Sequence, residues 1–153
     1  MASDKEQFAT NVYYDRTFDC DAAKILPGEY YYTPKDMLIV TVLGSCVSAC
    51  LWDASASIGG MNHFLLAEPP ASHDPGEIDV HYGVYLMELL VNQMLGYGAR
   101  KSRLKAHLYG GANVNRNMMR IGTANAEFAQ AFLRREGIRL MREVMERVVA
   151  EVG

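Results

Sequence analysis

Cysteine, tryptophan and proline are scarce in this chain, whose 153 residues include three cysteines, one tryptophan and five prolines. Three cysteines cannot all pair with one another, which argues against a disulfide framework. The N-terminal stretch MASDKEQFAT lacks the basic-then-apolar order of a secretion signal. No uninterrupted apolar run approaches the roughly 20 residues needed to cross a bilayer. These absences predict a cytoplasmic protein without membrane insertion.

An excess of one charge is also lacking, because 15 basic side chains stand against 18 acidic ones, giving a net charge of -3. This balance argues against general nucleic-acid binding, which requires a basic surface. The chain length suits one domain with one sizeable core. We expect that single domain at residues 25–153, after a loosely ordered N-terminal arm of polar, mixed composition at residues 1–24.

The first half of the chain is rich in residues that favour strands. Turn signals at positions 27–28 (PG) and 34–36 (PKD) separate short tracts of Tyr, Ile and Val. These tracts predict strands at about residues 29–33 and 37–42. Two more strands are expected in the segments VSACLWD and IGGMNHFLL.

The second half combines helices with one further strand. The segment GVYLMELLVNQML has its leucines at helical spacing before Gly96 and Gly98, and a second helix is expected from about Thr123, as N-cap, to Gly137. Between them, RLKAHLYGG alternates like a strand with one buried face. The chain is therefore predicted to adopt an α/β (α+β) fold, a layered single domain with a mixed β-sheet core and two to three packed helices.

The last segment, IRLMREVMERVVAEV, has apolar residues at steps of three and four, namely Met141, Val144, Met145, Val148, Val149 and Val152. An α-helix would bury these residues as one stripe and expose the charged residues between them. Periodicity therefore predicts a third helix over about residues 138–151.

A candidate nucleophile, Cys46, follows a Gly-Ser turn in the stretch LGSCVSAC. A thiolate is stabilised by a nearby imidazole or by backbone N–H groups that converge at a turn. Gly44 allows a sharp bend, which makes the amides of Ser45 and Cys46 candidate donors to an oxyanion. His63 would return beside Cys46 through a β-turn-β connection, and Thr41 is the candidate that orients its imidazole.

The residues alone leave other interpretations open. A cysteine in an apolar strand is more often a small buried hydrophobe, and this is the preferred interpretation of Cys50. Cys46, Cys50 and His63 together are an alternative zinc site, although no second compact ligand pair follows them. His73 and His81 flank a Pro/Gly/Asp loop and are expected in solvent, and His107 is expected on the polar face of its strand.

A resemblance to a known family rests on four segments: KILPGEYYYTPKDMLIVTVLGSCVSACLWD, GGMNHFLL, LYGGAN and IGTANAEFAQAFL. They look like the chemoreceptor glutamine deamidases, the CheD family of bacterial chemotaxis, over about residues 23–137. The order LGSC followed by GGMNHFLL is the most specific part of this resemblance.

The resemblance implies a Cys/His hydrolase that converts selected glutamines on the cytoplasmic helices of chemoreceptors to glutamates and releases ammonia, without a metal or an organic cofactor. The nucleophilic cysteine of the family falls on Cys46, its histidine on His63 and its threonine on Thr41. Chemoreceptors are the implied partners, with a CheC-type phosphatase as a further candidate. Family members usually end in short strands, so the resemblance disagrees with the helical periodicity of residues 138–151.

Two other functions remain open at this point. If the tail at residues 138–153 departs from the family architecture, the protein is a catalytically impaired binding module that docks on a receptor or on a CheC-type phosphatase. The second alternative is a Cys/His amidohydrolase of a small amide. A shallow, open site would favour a protein substrate, whereas a deep pocket around Cys46 would favour a small amide.

Overall fold

A computed structural model describes residues 11–65, 83–112, 121–144 and 148–152. Within them the strands are β1 (Asn11–Asp15), β2 (Cys20–Lys24), β3 (Tyr30–Thr33), β4 (Leu38–Leu43), β5 (Val47–Asp53), β6 (Ile58–Asn62), β7 (Lys105–Gly110), β8 (Arg139–Val144) and β9 (Val148–Val152). The helices are α1 (Gly83–Gly96) and α2 (Ile121–Glu136), and a short 3-10 turn, Lys101–Arg103, precedes β7. The predictions for His73 and His81 lie outside the described residues.

The strands form two mixed sheets. One sheet has the order β1-β2-β4-β9 and the other has the order β3-β6-β5-β7-β8. Strands β2 and β4 pair in parallel, as do β7 and β8, and the other neighbours are antiparallel. The predicted α+β class, with a mixed β-sheet core and two packed helices, is confirmed.

The five-stranded sheet has an apolar core on each face, because side chains alternate along its strands. On one face, Val47 and Leu51 of β5 pack in a core that includes Leu90 of α1. On the other face, Cys50 packs in a smaller core with Ile39 of the four-stranded sheet. The molecule therefore has three layers, with the five-stranded sheet between the helices and the four-stranded sheet.

Most elements predicted from local pattern are confirmed. Strands β3 and β4 match the predictions at residues 29–33 and 37–42, and β5, β6, β7 and α1 lie in the predicted segments. Helix α2 begins at Ile121, so Thr123 lies inside its first turn and the predicted N-cap was wrong. Neither described helix is long and apolar enough to cross a membrane.

The expectation of a loosely ordered arm at residues 1–24 was wrong for its second half. Strands β1 and β2 form an antiparallel hairpin, and β2 continues the sheet by pairing with β4. The carboxylate of Asp15 accepts hydrogen bonds from the backbone N–H groups of Thr17 and Phe18, at 2.9 and 3.0 Å, and so stabilises the turn between the strands. Polar composition misled the prediction because β1 is an edge strand whose side chains are mostly exposed.

The predicted helix over residues 138–151 was also wrong. Strand β8 pairs in parallel with β7, and β9 pairs antiparallel with β4. The described apolar residues at helical spacing, Met141, Val144, Val148, Val149 and Val152, therefore belong to two strands in two different sheets. Pairing with distant strands outweighs local periodicity here, and the β-branched valines of β9 favour the extended conformation.

Candidate active site

The candidate residues meet between the two sheets. Thr41 lies on β4 of the four-stranded sheet, and Gly44 and Ser45 lie in the bend that joins β4 to β5. Cys46 is the last residue of that bend, and His63 directly follows β6. The site therefore uses two strands and a bend that belong to different layers of the fold.

The pairing register puts Cys46 and His63 on the same face of the five-stranded sheet. An isolated bridge between Val47 and Phe64 continues the antiparallel register of β5 and β6. Ser48 is therefore opposite His63, and Cys46 is a diagonal neighbour of His63 on the side that faces the smaller core. Diagonal neighbours in an antiparallel pair lie roughly 7–8 Å apart, within reach of long side chains. The register thus brings Cys46 and His63 to the same face of the sheet, and their catalytic pairing stays a prediction.

Thr41 links the histidine to the other sheet. Its hydroxyl oxygen lies 2.7 Å from Nδ1 of His63 and 2.7 Å from the carbonyl oxygen of Ile25. A hydroxyl has one proton to donate, and the carbonyl of Ile25 can only accept it. Nδ1 of His63 must then carry a proton and donate a hydrogen bond to the hydroxyl oxygen of Thr41. Nε2 is therefore the unprotonated nitrogen of the neutral ring. This tautomer is the one in which Nε2 can take a proton.

The backbone around His63 is fixed by the loop before β3. The N–H of His63 donates to the carbonyl of Glu29 at 3.1 Å, and the N–H of Gly28 donates to the carbonyl of His63 at 2.9 Å. The buried carboxylate of Glu29 in turn accepts from the N–H of Leu26 at 2.8 Å. These bonds fix the backbone of His63. The ring itself has little room to reorient, because the residue is only 3% exposed.

Cys46, in the bend, and Cys50, in β5, have different environments. Cys46 is half-buried, and burial raises the pKa of its thiol, while a hydrogen bond from its own backbone N–H opposes that rise. Cys50 is fully buried, and burial raises its thiol pKa to about 12. The thiol of Cys46 therefore requires a base to form thiolate near neutral pH, and Cys50 matches the predicted buried hydrophobe.

Three carbonyl groups of the bend accept hydrogen bonds from the chain that follows β7 and from α2. The carbonyl of Gly44 accepts from the N–H of Ala112 at 2.9 Å, and that of Cys46 accepts from the N–H of Gly111 at 2.9 Å. The carbonyl of Ser45 accepts from the side-chain amide of Asn125 at 2.7 Å. In a trans peptide the N–H points away from the C=O, so the N–H groups of Ser45 and Cys46 point away from these donors.

Two glycines permit this close packing. Gly110 has a φ of +95°, and a β-carbon on it would collide with the carbonyl oxygen of Cys46. A β-carbon on Gly122, in the first turn of α2, would collide with the carbonyl oxygens of Gly111 and Ala112. The sequence RLKAHLYGG predicted the strand that ends at these glycines, but neither its contact with the bend nor the role of Asn125 was predicted. The only available signal was that LYGGAN and IGTANAEF recur in the family resemblance.

The described residues give the zinc alternative no support. Within residues 11–65, 83–112, 121–144 and 148–152, no group of three or more His, Cys, Asp and Glu side chains is arranged to hold a metal ion. A cavity of about 560 Å³ opens further along β5, where Cys50, Trp52 and Tyr109 contribute to its wall. Neither Cys46 nor His63 lines that cavity.

His107 lies on the expected face of β7, which it shares with the exposed Lys105 and which is opposite the buried Ala106 and Leu108. Its ring lies edge-on to Trp52, with 4.6 Å between centroids, and its Nδ1 is 3.0 Å from the hydroxyl of Tyr109. Burial lowers the pKa of His107, and the positive charge of Arg142 lowers it further. The side chain is therefore half-buried in an aromatic cluster.

A family model and the similar sequences agree on one family. A family model described as "CheD chemotactic sensory transduction" matches residues 65–150. The chain is 58% identical over 142 residues to a probable chemoreceptor glutamine deamidase CheD of Herminiimonas arsenicoxydans, covering 91% of this chain and 70% of the relative. It is 56% identical over 144 residues to the protein of the same name from Thiobacillus denitrificans, with the same coverage.

Proposed function

The chain belongs to the CheD family, and on that premise we propose that it is a protein-glutamine deamidase that converts chemoreceptor glutamines to glutamates and releases ammonia. The observation that most directly supports this proposal is the hydrogen bond of 2.7 Å between Thr41 and His63, on the sheet face shared with Cys46. A thiol, an imidazole and a group that orients the imidazole are the parts required for acyl transfer by a cysteine.

In the proposed first step, Nε2 of His63 takes the proton of the Cys46 thiol. The raised pKa of that thiol makes this base necessary, since little thiolate would form unaided near neutral pH. The thiolate then attacks the side-chain amide carbon of a glutamine and forms a carbon–sulfur bond. Thr41 keeps the ring in the tautomer that has Nε2 unprotonated, because its hydroxyl oxygen accepts a hydrogen bond from the Nδ1–H group.

The tetrahedral intermediate bears a negative oxygen. The N–H groups of Ser45 and Cys46 are the proposed donors to it. The carbonyls of the same two peptide groups, those of Gly44 and Ser45, face the loop after β7 and α2, so the N–H groups face the other way. When the intermediate collapses, the carbon–nitrogen bond breaks and protonated His63 gives its proton to the leaving nitrogen. The products of this step are ammonia and a thioester on Cys46.

Water completes the proposed reaction. His63 removes a proton from a water molecule, which attacks the thioester carbon. The carbon–sulfur bond then breaks, glutamate is released, and protonated His63 returns its proton to the sulfur of Cys46. Each turnover replaces a neutral amide on the receptor by a carboxylate. On a helix, a new negative charge next to another at i,i+4 spacing is destabilising by a few tenths of a kcal/mol, so deamidation changes helix packing.

The alternatives lose part of their support. The hypothesis of a catalytically impaired binding module depended on a helical tail, and residues 139–144 and 148–152 are strands instead. A small-amide hydrolase would enclose its cysteine in a deep pocket, whereas Cys46 is half-buried at a bend and the described cavity of about 560 Å³ is not lined by it. The first observation favours an active enzyme, and the second favours a protein substrate.

We propose receptors as the substrate partners and a CheC-type phosphatase as a second partner. The receptor partner is supported by the names of the similar proteins, whereas the phosphatase rests on the family resemblance alone. Copurification of the chain with a CheC-type phosphatase would test the second partner, and absence of binding at micromolar concentrations would remove it.

The activity is tested by incubating the protein with a cytoplasmic chemoreceptor fragment and, separately, with free glutamine. Ammonia release is measured, and mass spectrometry of the fragment identifies glutamines that have become glutamates. We expect release from the fragment at selected positions and little release from free glutamine. Equal kcat/KM for the two substrates would support the small-amide alternative, and no release from either would contradict the proposed activity.

A further inference from the structure

Asn125 is a buried polar residue that the proposed reaction does not use. It lies in the first half of α2, is 0% exposed, and donates a hydrogen bond of 2.7 Å from its side-chain amide to the carbonyl of Ser45. Ser45 immediately precedes the proposed nucleophile. Helix α2 is therefore hydrogen-bonded, through Asn125, to the peptide group that joins Ser45 to Cys46.

This peptide group has two functions in the proposed site. Its N–H belongs to Cys46, and this backbone donor lowers the pKa of the thiol against the larger rise that burial causes. The same N–H is a proposed donor to the oxyanion. A donor on the carbonyl of a peptide polarises the group and strengthens its N–H as a donor. The orientation of the peptide also fixes the direction of that N–H, because the group is planar.

The packing of α2 places Asn125 in this position. Gly122 lies three residues earlier, on the same side of the helix, and its lack of a side chain allows the helix to approach the backbone of Gly111 and Ala112. Ala112 and Gly111 bond the two other carbonyls of the bend. The bend is thus held at three consecutive carbonyls, and Asn125 is the only side chain among these three donors.

We propose that Asn125 is a positioning residue, which acts through the Ser45–Cys46 peptide to direct the Cys46 N–H towards the thiolate and the oxyanion. It does not touch the substrate. The inference rests on the proposed function, because it assumes that Cys46 is the nucleophile. Its predicted signature is a lower kcat together with a less acidic Cys46 thiol, in a protein that remains folded.

The test compares Asn125→Ala and Asn125→Asp in a Cys20→Ser background, where Cys46 is the half-buried thiol and Cys50 is buried. Asn125→Ala removes the donor, and Asn125→Asp keeps the shape but has a carboxylate that only accepts. We expect kcat on the receptor fragment to fall about 100-fold with KM little changed. We also expect the pH midpoint for alkylation of Cys46 by iodoacetamide to rise by about one unit.

A matched control is Asp53→Asn. Asp53 is another buried side chain that binds backbone amides, from Ala56 and Arg100, but it lies at the opposite end of β5 from Cys46. This variant should lose stability while it keeps wild-type kcat and a wild-type alkylation midpoint. A merely structural role for Asn125 predicts the same outcome for Asn125→Ala, so the two variants separate destabilisation from positioning.

Two results decide the inference. If folded Asn125→Ala keeps both the wild-type kcat and the wild-type alkylation midpoint, Asn125 has no positioning role. If this variant does not fold, Asn125→Asp decides by the same measurements. Failure of the proposed function is a separate result, because the wild-type protein would then release no ammonia, and the alkylation midpoint would still report whether Asn125 acts on Cys46.

Discussion

A hydrogen bond of 2.7 Å joins Thr41, in one sheet, to His63, which directly follows a strand of the other sheet. Thr41 is on β4 of the four-stranded sheet, whereas His63 follows β6 of the five-stranded sheet. The tautomer and orientation of the imidazole therefore depend on how the two sheets pack against each other. A change in that packing would alter the proposed base without altering either residue.

Replacing Thr41 tests the orientation of the imidazole. Thr41→Val keeps the shape of the side chain but leaves Nδ1 of His63 and the carbonyl of Ile25 without this hydroxyl. We expect kcat to fall about 100-fold and the free energy of unfolding to fall by about 1–3 kcal/mol. Steady-state assays of ammonia release and urea denaturation measure the two effects.

Thr41→Ser is the control for this substitution, because serine keeps the hydroxyl and loses only a methyl group. It should retain most of the wild-type kcat at a stability cost of about 1 kcal/mol. Equal kcat in the valine and serine variants would show that the hydroxyl does not orient His63.

The two cysteines near the site should respond differently to substitution by alanine. Cys46→Ala should abolish ammonia release from the receptor fragment and leave the fold intact, since Cys46 is half-buried. Cys50→Ala should leave kcat nearly unchanged and lower the free energy of unfolding by about 1 kcal/mol, because it removes one buried sulfur atom. Equal loss of activity in the two variants would indicate a shared structural role.

Gly110 is predicted to be essential for two reasons, its positive φ and its contact with the carbonyl of Cys46. Gly110→Ala introduces a side chain at a φ of +95° and directs it at the carbonyl of Cys46. The unfavourable φ costs about 1–3 kcal/mol, and the collision displaces the bend, so ammonia release should fall further than stability alone explains.

Gly98→Ala provides the comparison. Gly98 also has a positive φ, +108°, but a β-carbon on it would meet no atom within 4 Å. This variant should lose only the stability that the unfavourable φ costs, and it should keep the wild-type kcat. Similar kcat in the Gly110 and Gly98 variants at a temperature where both are folded would contradict the proposed role of the bend.

Alkaline pH should destabilise the fold through Cys50. Its thiol has a pKa raised from 9.0 to about 12 by burial. The unfolded thiol therefore ionises at a lower pH than the folded one, so the stabilisation is fully present below pH 9.0 and is lost as pH rises towards 12. The free energy of unfolding, measured by urea denaturation across this range, should fall less steeply with pH in Cys50→Ala. Identical slopes would refute this assignment.

Local pattern was sufficient for most elements, because their signals act over a few residues. The tracts around residues 30–33 and 38–43 combine strand-forming residues with turn residues on both sides, and the helix at residues 83–96 has its leucines at helical spacing. The contact between Thr41 and His63 was predicted from the need to orient the imidazole and again from the family resemblance, and the structure gives it a distance of 2.7 Å.

Features that depend on distant partners were missed. The segment at residues 148–152 is a strand because β4 offers it an edge, and no window of local sequence contains that edge. Strands β1 and β2 are held in the same way by their pairing with each other and with β4. The contact from Asn125 to Ser45 spans 80 residues, so its spacing has no local signature.

The pairing of β9 with β4 also determines when the site can form during synthesis. Thr41 pairs with Ala150, so the ribosome makes the two partners roughly a hundred residues apart. At bacterial elongation rates that interval is on the order of ten seconds. During it β4, with the uncharged sequence LIVTVL, lacks one neighbour and presents an open edge of the kind that promotes aggregation. Nascent chains of this protein are therefore expected to depend on chaperones until β9 emerges.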